Sequence, residues 1–141
     1  MNSWTTMFLA AALLAMPGCA LFGGTGSSEV NLASSPSMPA AEGSAKFSAT
    51  KNDNTSVDLR VKHLAHPEKL TPPASSYVVW VRANKDAAPQ NVGALKVDED
   101  LTGSFLAETP LHSFDLFITA ETSGQAQTPS GTSLLWTSYS R

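Results

Sequence analysis

Residues 55–63, TSVDLRVKH, decide the fold class: Val57, Leu59 and Val61 alternate with Asp58, Arg60 and Lys62. A repeat of two sends successive side chains to opposite faces of a strand, whereas an amphipathic helix would repeat every 3.6 residues. One face of this segment therefore meets a core and the other meets water. Upstream, Lys51-Asn52-Asp53-Asn54 supplies residue types that tolerate left-handed backbone, so it reads as a turn after a short strand over Ser44 to Thr50. Downstream, Pro67, Pro72 and Pro73 exclude a central strand, and Leu64 to Pro73 reads as a long crossing loop.

The same period continues to the C-terminus, and no amphipathic helix longer than a turn or two can be drawn. Ser76 to Ala83, SYVVWVRA, is apolar on both faces and reads as a central strand. Asn91 to Val97 follows, Asp98 to Gly103 turns the chain, and Ser104 to Glu108 returns. Ser113 to Glu121 alternates again, with Phe114, Leu116, Ile118 and Ala120 directed inward. Pro129 and Gly131 mark a further turn, and Ser133 to Tyr139 closes the set. Seven short strands separated by turn signals predict an all-β fold, a small antiparallel sandwich of the immunoglobulin or fibronectin type over residues 44–141.

The N-terminal part has a different character. Met7 to Met16, MFLAAALLAM, is an almost unbroken apolar run of the length of a secretory signal core, too short for the roughly 20 residues of a membrane span. Pro17 and Gly18 stop it, and Cys19 follows. Met16-Pro17-Gly18-Cys19 resembles the lipobox of bacterial lipoproteins, with the small Gly18 before the cysteine. Met16 stands where such boxes usually carry Leu, and Asn2 to Thr6 contain no Lys or Arg. The resemblance implies removal of residues 1–18 as a signal peptide and acylation of Cys19 by chains such as palmitate. Two or three acyl chains anchor firmly where one binds only marginally. Cys19 is the only cysteine, so no internal disulfide can form, and lipidation would account for it. Ala20, in place of Asp, resembles the outer-membrane sorting pattern of Gram-negative lipoproteins, which implies a periplasm-facing anchor. Residues 19–43, rich in Gly, Ser, Ala and Pro, read as a flexible tether, with the alternative that part of it, such as Val30 to Leu32, pairs as an edge strand. As a coil, Ala20 to Gly43 would span about 25 Å.

A second resemblance lies in the β region. Tyr77-Val78-Val79-Trp80-Val81, Gly93-Ala94-Leu95, the acidic turn Asp98 to Gly103, Phe114 to Glu121 and Pro129-Ser130-Gly131 resemble the C-terminal extracytoplasmic domain of anti-sigma-K factors. It covers about Ser44 to Trp136, and its motifs are structural rather than catalytic. The 141 residues hold no counterpart of the sigma-binding domain or membrane-crossing helix of those factors. The resemblance therefore implies an outer domain alone, acting as a sensing or interaction module.

Candidates for chemistry are sparse. Nine Lys and Arg against 12 Asp and Glu, scattered along the chain, offer no basic patch for nucleic acid. No G-x-S-x-G elbow or phosphate-binding glycine loop appears, and no small-molecule substrate, cofactor or enzymatic activity is expected. His63 and His66, with His112 elsewhere, are the only candidates for a periplasmic copper or zinc site. Asp98, Asp100 and Thr102-Gly103 imitate the start of a calcium loop, but the twelfth position is Thr109 and the flanks read as strands, which predicts an acidic hairpin turn. Trp80, Trp136, Tyr77 and Phe117 are candidates for an aromatic platform, with core packing as the alternative. The expected function is a non-enzymatic, lipid-anchored envelope protein with an interaction or sensing domain. A structural or assembly accessory of the envelope is the alternative.

Overall fold

A computed structural model describes residues 26–141; Cys19 and the apolar leader lie outside the described residues. Eight strands follow in order: β1 (Ser28–Ser34), β2 (Glu42–Ala49), β3 (Thr55–Lys62), β4 (Ser76–Arg82), β5 (Gln90–Val97), β6 (Gly103–Thr109), β7 (Ser113–Glu121) and β8 (Leu135–Ser140). The alternating segment that set the fold class is β3, with Thr55, Val57, Leu59 and Val61 buried on one side. The proline-rich crossing holds one 3-10 turn, Pro67–Lys69, and no strand.

All neighbouring strands are antiparallel and run β1-β2-β3-β6-β5-β4-β7-β8 around a closed barrel. The all-β expectation holds, but the sandwich is corrected to a barrel. Its two walls, β1-β2-β3-β6 and β5-β4-β7-β8, are joined by short seams. One seam pairs Ala33 with Trp136 and Ser34 with Leu135; the other pairs Lys96 with Ser104 and Val97 with Gly103. Alternation assigns a residue to a face, but closure depends on which edges meet, and that is long-range information.

The strand beyond the seven expected is β1, which lies inside the expected tether and includes the Val30 to Leu32 stretch allowed there as an edge strand, so the described barrel takes in Ser28–Ser34 as well as residues from Ser44 on. β1 is polar, SEVNLAS, and owes its order to ladders on both sides rather than to burial of its own. Leu32 faces inward, and Met38 and Ala41 in the following loop are also buried.

The barrel interior is filled by side chains, as an eight-stranded barrel allows. Ala45, Leu59, Val61, Leu64, Tyr77, Val79, Val81, Leu116, Ile118 and Leu135 are fully buried. Phe47 anchors one part of this core, stacked on Tyr139 at 4.4 Å and edge-on to Phe114 at 5.7 Å. A bulge in β5 pairs Val79 with Gly93 and Trp80 with Asn91, leaving Val92 as the extra residue. Gly93 has φ +139°, and a Cβ there would sit 2.9 Å from the Phe105 ring, so glycine is required on both counts.

Candidate functional site

The outer face of β4, β7 and β8 carries two parallel rows of side chains. Register opposes Trp80 to Phe117 and Phe117 to Trp136, which forms an aromatic row across three strands. Two residues along each strand, Arg82 opposes Asp115 and Asp115 opposes Ser138, forming a polar row. Adjacent strands lie about 4.8 Å apart and a two-residue step is about 7 Å, so the rows are neighbours on one wall.

The aromatic row is graded from covered to open. Trp80 is 0% exposed, Phe117 7% and Trp136 42%. The cover is the segment 122–134, which folds back over β4 and packs Ala126 against Val78, Trp80 and Phe117. Asn91 holds it there, its side-chain amide donating to the carbonyls of Gly124 and Ala126 at 3.0 and 2.9 Å. The expectation that β4 is a central strand buried on both faces is met, with a loop rather than a second sheet as its outer cover.

Glu121, at the end of β7, fastens the other end of the cover. Its carboxylate accepts from the Ser130 amide at 3.0 Å and from the Ser130 hydroxyl. It also accepts from the Thr119 hydroxyl, whose oxygen in turn accepts from Trp80 Nε1 at 2.8 Å. Burial alone would raise the Glu121 pKa; the hydrogen bonds from Ser130, Thr119 and the Gly131 backbone outweigh it and hold the group below its ordinary value.

In the polar row, Arg82 Nε donates to Asp115 Oδ2 at 3.3 Å and Ser138 Oγ donates to Asp115 Oδ1 at 2.7 Å. The Arg82 guanidinium also lies 5.3 Å from the centre of the Phe117 ring, within cation–π range. Together with Lys85 and Trp136, these residues line an open groove of about 380 Å³. The arrangement can stack an apolar face on Trp136 while offering charged donors and acceptors alongside, as ligand sites combine apolar area with a few placed polar groups.

The other candidates are dispersed. Tyr77 points into the barrel, donates to the Ala65 carbonyl at 2.7 Å, and has its pKa pushed up to about 12, mainly by burial and then by the charge of Glu68. His63 follows β3 with φ +57°, and the His66 carbonyl accepts from Lys69 in the 3-10 turn. His112 lies at the opposite end of β3, its Nε2 2.7 Å from the Asp53 carbonyl oxygen, about 25 Å away along the strand. Among the described residues, no three His, Cys, Asp or Glu converge on a point where a metal could bind. Asp98 Oδ1 accepts from the amides of Asp100 and Thr102 at 3.0 and 2.9 Å, so it ties the β5–β6 hairpin. Thr109 is buried in β6. Cys19 lies outside the described residues.

Of the site residues, sequence reasoning singled out the aromatics but missed Arg82, Asp115, Ser138 and the Glu121–Ser130 contact. A local signal did exist: among the outward positions of β7, Phe117 stands between the polar Asp115, Thr119 and Glu121, where a wholly solvated face would not call for an aromatic ring. Compared with known proteins, the chain matches no family model, no curated protein and no solved structure.

Proposed function

We propose that the chain is a non-enzymatic envelope lipoprotein, anchored through acylated Cys19, whose barrel serves as an interaction or sensing module. One observation carries the second half of this reading: the outer wall holds a packed aromatic row that emerges into a groove at Trp136, bordered by the Arg82–Asp115–Ser138 row. A half-exposed tryptophan beside a desolvated aromatic and an arginine is the composition of binding hot spots. The lipobox-like Met16-Pro17-Gly18-Cys19 supports the first half, with residues 20–27 left as a short tether. The likeness to the outer domain of anti-sigma-K factors supports a sensing role but names no signal.

Two measurements test the halves separately. Intact mass of protein recovered from membranes should show added acyl mass that Cys19→Ala removes; an unmodified, soluble wild-type protein would refute the anchor. A photo-crosslinking residue at position 133, which lines the groove and leaves Trp136 in place, should in intact cells give discrete adducts absent when it is placed at the exposed Leu106 on the opposite wall. Equal labelling from both positions would refute the module.

A further inference from the structure

The groove on β7 and β8 has the chemistry of a saccharide site. A sugar ring is amphipathic in a particular way: its axial C–H bonds make an apolar face, while its hydroxyls lie around the rim. Trp136 supplies a partly exposed aromatic side chain, opposite Phe117 in the ladder, and Phe117 in turn stacks on Trp80 at 6.5 Å with an interplanar angle of 17°. Burying a C–H face there removes apolar surface from water without stranding a polar group.

The rim partners stand one row away. Asp115 uses each carboxylate oxygen once, toward Arg82 and Ser138, and retains acceptor capacity on both. Arg82 commits Nε to Asp115, leaving its terminal N–H groups to donate. An acceptor and a donor side by side match two adjacent hydroxyls, which can each donate and accept. Lys85 on the same rim brings the side-chain charge to one net positive against Asp115, which favours a glycan bearing an acid group. A purely apolar peptide would desolvate the remaining acceptor capacity of Asp115 and the terminal N–H groups of Arg82 without compensation, a cost a hydroxylated ligand avoids.

We propose that this groove binds an acidic glycan, with one ring stacked on Trp136, vicinal hydroxyls on the Asp115–Arg82 pair, and the acid group toward Lys85. The proposal rests on reading the barrel as an interaction module and names the ligand class for that site.

The full chain, purified in detergent, is applied to an array of neutral, N-acetylated and acidic oligosaccharides, and the best glycan is titrated by calorimetry. Retention of acidic members is expected, with affinity reduced about tenfold or more in Trp136→Ala and in Asp115→Asn. Asp115→Asn keeps the side-chain shape, so it controls for a fold defect in the tryptophan variant. Lys85→Ser should lower affinity for acidic glycans selectively. If no glycan is retained, or if Trp136→Ala and Asp115→Asn bind like wild type, the saccharide assignment is overturned. The cellular crosslinks from position 133 separate the two readings: discrete adducts without glycan binding leave the module standing and overturn the saccharide assignment, and the absence of both adducts and glycan binding removes both.

Discussion

The two walls of the barrel obey the same alternation inside and opposite rules outside. On β1-β2-β3-β6 the outward residues are solvent-facing and mostly polar, with Leu106 the large apolar exception: Lys46 opposes Asp58 and Glu42 opposes Lys62 across the sheet. On β4 and β7 the outward residues Val78, Trp80, Phe117, Thr119 and Glu121 are themselves buried. The second wall thus has a small core of its own outside the barrel, under the segment 122–134. Where that cover ends, the same aromatic row becomes a surface. A buried layer packs Trp80 and Phe117 together, and the ladder sets Trp136 beside them at the surface.

Removing the layer should break this contrast most severely. Trp80→Ala should cost about 3–5 kcal/mol in a urea titration, as for other large buried side chains. Leu106→Ser, outward on the first wall and 73% exposed, should stay within about 0.5 kcal/mol. Similar costs for the two would mean that the outer layer contributes no packing.

Glu121→Gln is the next largest, at about 1–3 kcal/mol, because a buried acceptor loses charge while Ser130 and Thr119 still donate to it. It also carries a pH signature. The Glu121 pKa is lowered in the folded protein, so its contribution is fully present above the unfolded carboxylate value of about 4.3 and is lost as pH falls through the folded value. The variant should therefore lose less stability than wild type between neutral and acidic pH. Parallel acid limbs would contradict the hydrogen-bonded carboxylate.

The smallest effect sharpens the comparison within the second wall. Arg82 and Asp115 are about a third exposed, and a double-mutant cycle through Arg82→Gln and Asp115→Asn should give a coupling of about 0.2–1 kcal/mol. A coupling several times larger would mean that the polar row supports the fold rather than a ligand.

Most strands could be read locally. Segments such as Val57-Asp58-Leu59-Arg60-Val61 carry their own face assignment, and the strand over Ser113 to Glu121 emerges with the same limits. Three features could not be read this way, for one physical reason: each depends on partners far away in the chain. β1 looks like a linker because its two ladders, not its composition, make it a strand. The segment 122–134 looks like a turn-rich loop because its apolar contribution is chiefly Ala126, while Asn91 and Glu121 hold it down. The site depends on register: Trp136 lies 56 positions from Trp80, and only the ladders through Phe117 bring them into one row.

The seam between β1 and β8 has a consequence for self-association. Its two pairs, continued by a 2.8 Å bond from the Ser35 amide to the Leu134 carbonyl, close the ring at one corner. From that corner the strands part: Leu32 back to Ser28 pairs with β2 alone, and Thr137 to Ser140 pairs with β7 alone. Beyond the seam two strand edges are thus paired on one side only, and such edges invite a foreign strand to add. Serines at 28, 138 and 140, with Glu29 and Asn31, line these edges and make them poor templates for another copy of the chain. The ring can therefore remain incompletely zipped, beside the half-exposed Trp136, without becoming a point of polymerisation.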